Sequence, residues 1–517
     1  MSRQRPPSSS HIQIPCAGMS PARLIVGSLP KIRRPRVGCF SIFLAIVLAY
    51  GRTLCHSFVG KASESSETSG NVCKDFKKGL SGQVICDGLA KYPFEWGNAD
   101  CNGILPLLVV RPSTEEDIAL TVRRSTTFGL PLSVRSGGHS YTCDGIKPGS
   151  VHLDLRSRVR KQLYHESSGW YAEFETGNTF RDLFRIVDRR RFSIVHGACH
   201  AVGVGGFYLH GGLHMNSLTA LYGWGNETIV SMRVVTADGQ IRALSASSAH
   251  QDLWRAMRQA GSNFAIATSL TVKVFESPEP FTWLFWVKLS HDEVVSLFRR
   301  AMTDEQVQLN IYYVNPPFFQ VSLSRPEIFT VQFTLLHGPA NYWQNLQASL
   351  DWFKSHQVAL SWWTIAFNAV MPKPDDLTHL GYPKAWVSSQ AIWPANSACT
   401  DEALHLLLDL QSTVVKRAHF HTFRQVECWL TFTELPRGQI YYEYNCPSRP
   451  AYVEHIRSVE QSFVAACPTS VKYRNTPHWN ASASRYYPDS RELLQTKRKW
   501  DPLNLLGPPT MSVHDLA

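Results

Sequence analysis

Hydrophobic and polar positions alternate along this chain in two rhythms. Leu105–Val110 is a short apolar run closed by Arg111-Pro112, which predicts a strand. The period then changes: Ile118, Leu120 and Val122 share part of one helical face, opened by a capping box at Ser113-Thr-Glu-Glu116 and running to about Thr127. Pro131–Val134 and Val151–Leu155 read as strands, giving a small α+β unit. Trp170–Glu175 alternates like a half-buried strand, and Phe180, Leu183, Phe184 and Val187 predict a helix over Thr179–Arg190. A further strand ends at a tight Asp238-Gly239 turn into Gln240–Ala243, and Leu270–Phe275 is another. From Phe281 to about Ala466 strands alternate with amphipathic helices, for example Asp401–Val414. A last helix ends near Trp500 at Asp501-Pro502.

Glycine breaks this pattern at two places. The first is Val134-Arg135-Ser136-Gly137-Gly138-His139-Ser140-Tyr141, where adjacent glycines permit a tight turn and leave backbone N–H groups open to an anion. A histidine and two hydroxyl side chains follow at once, although a plain turn explains the loop equally well when it is taken alone. The second runs from Gly197 through Cys199, Gly203, Gly205 and Gly206 to Gly212.

Length and composition fit a globular protein of two or three domains: 517 residues, 44% hydrophobic and 18% charged. The formal charge of +11 suggests an anionic partner until it is located. Residues 1–51 hold seven cations and no acid, and the remainder is ordinary for an enzyme, so nucleic-acid binding is not read from the charge. Cys39–Tyr50 is apolar and follows this basic flank. It is too short for a span of about 20 residues and reads as a signal-peptide core, with a signal anchor as the competing reading. Of the twelve cysteines, ten follow Tyr50. An exported chain would form disulfides within the early cluster (Cys73, Cys86, Cys101, Cys143) and within the late one (Cys399, Cys428, Cys446, Cys467). Spacing leaves the connectivity open, and without a Cys-x-x-Cys pair no metal site is expected. Asn480-Ala-Ser482 is a glycosylation sequon, whereas Asn226-Glu-Thr228 lies in a core region and should be silent.

The glycine stretches together resemble the flavin-binding half of the berberine-bridge-enzyme-like oxidases, within the vanillyl-alcohol-oxidase superfamily. Leu209-His210-Gly211-Gly212 is most similar to the oligosaccharide-oxidising members, and Arg485–Asn504 resembles the C-terminal segment that names the family. The resemblance implies an α+β fold: a PCMH-type FAD-binding domain of two α+β subdomains at 101–278, then a substrate domain with an antiparallel sheet flanked by helices at 279–470. A C-terminal segment at 471–510 returns to the flavin domain. A leader at 1–55 and a lead-in at 56–100 precede them.

It also implies FAD as cofactor, with His139 linked to the 8-methyl carbon and Cys199 to ring carbon 6. His200 stands where the family usually has proline. Arg135, Ser136, Gly137, Gly138 and Ser140 would cradle the diphosphate through backbone N–H groups and hydroxyls, and Gly203, Gly205 and Gly206 would let the second loop pass close to the ring. Gly261, Asn263 and Ile266 fall in a family flavin-binding segment, with Ala265 replacing a usual glycine. Val202 occupies the oxygen-gate position, which favours an oxidase. Tyr473 and Asn475 match a Tyr-x-Asn-Tyr motif, but Thr476 replaces its catalytic tyrosine and has no accessible pKa near neutrality. Glu427 or Tyr141 is therefore expected to assist deprotonation, with Tyr473 beside them. Glu443 falls where glutamine is usual. The expected activity is a secreted oxidase moving hydride from an alcohol, such as a sugar hemiacetal, to flavin and electrons to O2. The alternatives are reticuline-oxidase-like oxidation of an amine or phenolic metabolite, or a flavin-binding protein without turnover. No nucleic acid and no stable membrane span are expected in the mature form.

Overall fold

A computed structural model describes residues 71–187, 192–197, 199–213, 217–276, 281–313, 328–358, 360–368, 386–421, 428–435, 437–447, 449–474, 483–487, 490–509 and 511–516. The leader, the Asn480 sequon, Glu427, Asn475 and Thr476 lie outside them. No described helix is long and apolar enough to cross a membrane.

The first sheet contains β1 (Gln83–Ile85), β2 (Leu108–Arg111), β3 (Leu132–Arg135) and β4 (Val151–Asp154), in the order β1-β2-β4-β3. The central pairings β2–β4 and β4–β3 are parallel. Parallel strands need a crossover, and helix Glu115–Phe128 supplies one. Its N-cap is Thr114, one residue later than the sequence suggested, with Asp117 completing the box. Asp117 wins because its carboxylate also accepts from the Ser81 and Ser113 backbone N–H groups at 2.8 Å. The helix ends at Gly129, in the left-handed region with φ 62°.

The second sheet holds β5 (Lys161–Glu166), β6 (Gly169–Glu175), β7 (Ile229–Thr236), β8 (Ile241–Ser245) and β9 (Ala265–Val274), ordered β5-β6-β9-β7-β8 and antiparallel throughout. The helix expected over Thr179–Arg190 is only Phe180–Leu183. The apolar side chains face the core as expected, but the following residues turn instead of continuing the helix.

The third sheet is seven-stranded: β10 (Phe281–Lys288), β11 (Val307–Tyr313), β12 (Ile328–Leu335), β13 (Leu360–Asn368), β14 (Trp386–Pro394), β15 (Trp429–Leu435) and β16 (Gln439–Pro447). Side chains alternate between its faces. Phe285, Ile311, Phe333, Phe432, Tyr442 and Tyr444 bury themselves in a core shared with Leu297, Phe353, Leu404 and Phe463 of helices His291–Met302, Tyr342–Ser355, Thr400–His421 and Pro450–Ala466. The alternate positions on the same strands are polar: Gln308, Asn310, Gln332, Thr431, Thr433, Glu443 and Asn445.

Disulfides join Cys73 to Cys86, Cys101 to Cys143, Cys399 to Cys467 and Cys428 to Cys446, each within its cluster. The terminal helix Ser490–Trp500 is tied to the turn that follows it by a fully buried pair, Lys497 Nζ–Asp501 Oδ2 at 2.6 Å. Lys497 also donates to the Asn263 carbonyl at 2.7 Å.

Candidate active site

The two glycine loops meet backbone to backbone. A Cβ on Gly203 would lie 2.1 Å from Gly137 N, and one on Gly137 would lie 2.5 Å from Gly203 N. Only glycine fits at either position. Ser136 bridges the same junction, its Oγ donating to the Thr176 carbonyl at 2.5 Å and accepting from Gly205 N at 3.2 Å. The junction forms the wall of a cavity lined by Gly137, Gly138, His139, Cys199, Gly203 and Ile266, among others.

Polar side chains of the first glycine loop hold partners within the protein, although Arg135 Nε and Nη1 are buried without one. The Arg135 guanidinium packs on the Trp96 ring, 4.4 Å from its centroid, and donates to the Glu95 and Gly137 carbonyls at 2.9 and 3.2 Å. Burial pushes it down to about 10. A Cβ on Gly138 would strike it at 2.7 Å, so the glycine loop lies directly on this cation. Ser140 Oγ accepts from the Thr142 and Asp144 N–H groups at 3.3 Å and closes the turn. The side chains of Arg135, Ser136 and Ser140 thus hold the loop in shape, leaving its backbone N–H groups as the candidate anion contacts.

His139 and Cys199, one from each loop, are hydrogen-bonded to each other and both line the cavity. Burial works against charge on each. The bond nevertheless draws the imidazole upward and the thiol downward from their ordinary values, in the direction of an imidazolium–thiolate pair. Cys199 is the only unpaired cysteine among the described residues. Val202 lies beside it, half-buried and on the cavity wall. The unusual His200 is buried, its ring 4.8 Å from Phe184, so it serves packing in place of a proline.

Among the other expected site residues, Tyr141, Gly205, Gly206, Ile266 and Tyr473 line the cavity. Gly261 and Asn263 are buried in the turn just behind it, where Ser262 takes the lining position. Asn263 instead ties the C-terminal segment, accepting from Val513 N at 2.8 Å. Asn226 donates to the Arg258 carbonyl at 2.6 Å from a half-buried position.

At the sheet side of the cavity stand Tyr441, Glu443 and Tyr473. Strand alternation directs Tyr442 and Tyr444 into the helical core and places Tyr441 and Glu443 on the opposite face. Tyr441 Oη donates to Glu443 Oε2 at 3.1 Å, and the register sets Thr431 and Gln390 across from Glu443 on the neighbouring strands. Burial raises the Glu443 carboxyl above its ordinary value, against the lowering effect of bonds from Asn445 and Tyr441. Tyr473 Oη accepts from Leu213 N at 2.9 Å, and its ring lies 5.5 Å from Tyr441. Sequence reasoning noted Glu443 without assigning it a role. The two-residue period of Tyr441, Glu443 and Asn445 was the sign that it faces the ligand side.

Residues 106–245 match the model of an FAD-binding domain. Those residues therefore carry the likeness to FAD-binding domains. The chain is 29% identical to a carbohydrate oxidase of Microdochium nivale over 267 residues, 48% of this chain and 53% of that protein. It is also 32% identical to a xylooligosaccharide oxidase of Thermothelomyces thermophilus, over 34% and 35% of the two chains. The chain thus spans about half the length, or less, of the curated relatives it matches. Its fold is that of a chitooligosaccharide oxidase (TM-score 0.68, 17% identity, 86% of this chain and 99% of that one). It is equally that of a glucooligosaccharide oxidase from Acremonium strictum, described with a 6-S-cysteinyl, 8α-N1-histidyl FAD (TM-score 0.66, 17% identity, 86% and 99% covered).

The cavity fits FAD on its own chemistry. Two glycine loops pack backbone to backbone at its wall, their N–H groups are candidates for a diphosphate, and a nucleophilic nitrogen and sulfur share that wall.

Proposed function

We propose that this chain is an exported oxidase that oxidises a secondary alcohol, such as a sugar hemiacetal, at a covalently held flavin and reduces O2 to H2O2. The observation that carries this is the hydrogen-bonded His139–Cys199 pair on the wall of the glycine-lined cavity. FAD bound there supplies a two-electron acceptor for hydride. His139 and Cys199 would hold the ring in place there, each offering a nucleophilic atom to it. Glu443, as its carboxylate, takes the proton from the substrate hydroxyl, and Tyr441 orients it by donating to Oε2. Val202 leaves space beside the ring for O2. The disulfides support export into an oxidising compartment. Likeness to a carbohydrate oxidase and a xylooligosaccharide oxidase supports a sugar-like alcohol. Likeness to an (R)-6-hydroxynicotine oxidase, 32% identical over 173 residues, makes an amine the second substrate class to test.

The test is acid precipitation of purified protein with peptide mapping, followed by peroxide assays on mono- and oligosaccharides and on amines. Flavin retained on peptides holding His139 and Cys199, with peroxide formed from sugars, supports the proposal. Flavin released to the supernatant overturns both tethers. Peroxide from amines alone moves the substrate class.

A further inference from the structure

We propose that residues 95–101, pinned by the Cys101–Cys143 disulfide, act as a clamp that positions His139 beside Cys199, so the pair reaches its bonded geometry only once that disulfide has closed. This rests on the reading of His139 and Cys199 as the groups that take FAD. The clamp and the first glycine loop run side by side, and their contacts advance in step. The Glu95 carbonyl accepts from Arg135 Nη2 at 2.9 Å, and the Trp96 ring lies under the same guanidinium. Gly97 N donates to the Gly138 carbonyl at 2.9 Å. Asn98 Nδ2 donates to the Tyr141 carbonyl at 2.5 Å, and Cys101 closes the series on Cys143.

Position 97 sets the fit at His139 itself. A Cβ there would lie 3.2 Å from His139 Cα and 3.3 Å from ring atom Cδ2. Bare backbone therefore backs the imidazole that is hydrogen-bonded to Cys199.

Little apart from the disulfide holds the clamp. From Leu89 to Ile104 the chain forms two short 3₁₀ turns, Leu89–Lys91 and Ala99–Cys101, and no longer element. Its apolar anchors, Phe94 and Trp96, belong to a small core of five buried residues with Cys101, Val109 and Ile146. A segment with few backbone bonds and a small core opens readily. The disulfide bridges a separation of 42 residues, which includes β2, helix Glu115–Phe128 and β3. Glu95 and Cys143, at the two ends of the contact series, both hold left-handed backbones, with φ 49° and 62°. Non-glycine residues keep that conformation where their surroundings fix it, and such positions concentrate at functional sites.

Closing the bridge removes two protons and two electrons from the two thiols, which pass by exchange to a disulfide of an oxidising compartment. Cofactor capture is thereby tied to the compartment in which the chain folds.

The experiment follows alkylation of Cys199 by iodoacetamide against pH in full-length, flavin-free protein, for wild type and three variants. These are Cys101→Ser with Cys143→Ser, Gly97→Ala, and, as a control that cuts the other early bridge, Cys73→Ser with Cys86→Ser. Opening the clamp should raise the pH of half-maximal alkylation by about 0.5 or more, because the bond that draws the thiol downward loosens. Gly97→Ala should shift it in the same direction, and the control should match wild type. FAD added to each protein gives a second reading. The rate at which flavin becomes stable to acid precipitation should fall about tenfold or more in the first two variants alone. An unchanged midpoint or an unchanged flavin rate in the folded Cys101/Cys143 variant overturns the assignment. An equal shift in the control marks general loosening and overturns it too. If the Cys101/Cys143 variant does not fold, an unchanged midpoint in Gly97→Ala overturns it. If wild-type protein retains no flavin, the cofactor reading fails, while the alkylation profiles still decide the clamp.

Discussion

His139 and Cys199 are carried by different glycine loops, yet their side chains are hydrogen-bonded across the cavity wall. The bond lowers the thiol and raises the imidazole. In flavin-free protein, alkylation of Cys199 should therefore reach half its maximal rate at a lower pH than an ordinary cysteine, near 8.5. His139→Ala should move that midpoint upward. Rate against pH with iodoacetamide, read by mass spectrometry at Cys199, checks this, and identical profiles would refute the coupling.

Gly203→Ala introduces a methyl group into contact with the Gly137 backbone. Forcing that junction apart should destabilise the fold by about 1–3 kcal/mol. It should also reduce flavin incorporation more than Gly206→Ala, whose Cβ would meet open space. Thermal melts together with flavin-to-protein absorbance ratios measure both effects.

Glu443→Gln preserves shape and removes the base. On the proposed function, kcat should fall by about 10²–10⁴-fold with flavin content unchanged. Because burial raises the Glu443 carboxyl, wild-type activity should decline as pH falls through that raised value, where the base becomes protonated. The variant should lose this limb of the profile. Steady-state peroxide production across pH decides, and a variant as fast as wild type would remove Glu443 from the mechanism.

Asp501→Asn leaves Lys497 buried without its counter-charge and replaces one of the two oxygens that accept from the Leu505 and Leu506 N–H groups with an amide donor. The cost should be about 3–5 kcal/mol. Denaturant titration is the check, and loss below 1 kcal/mol would mean the C-terminal segment is not anchored by this pair.

Much of the local structure was legible in the chain. Apolar runs and helical periods located β2, β3 and β4 of the first sheet, the helix after Arg111 and the terminal helix, because each buries apolar side chains in the core, but not β1. The glycine stretches were legible because unshielded backbone is a property of residue type. Local rules misjudged the helix N-cap, where Ser81 and Ser113 selected Asp117, and the length of the helix at Phe180.

By itself the sequence singled out the candidate residues: His139 and Cys199 as expected nucleophiles, the glycines that let loops approach, and the cysteines in two clusters. Tertiary structure alone decided which of them meet. Gly137 against Gly203, Asn263 against the C-terminal tail, and Tyr441 beside Glu443 on the ligand side of the sheet depend on how distant segments pack. It also decided that Arg135 and Ser136 brace the loop. The physical reason is that burial and electrostatic partnership are set by the whole packed environment, whereas propensity and period are set by near neighbours in the chain.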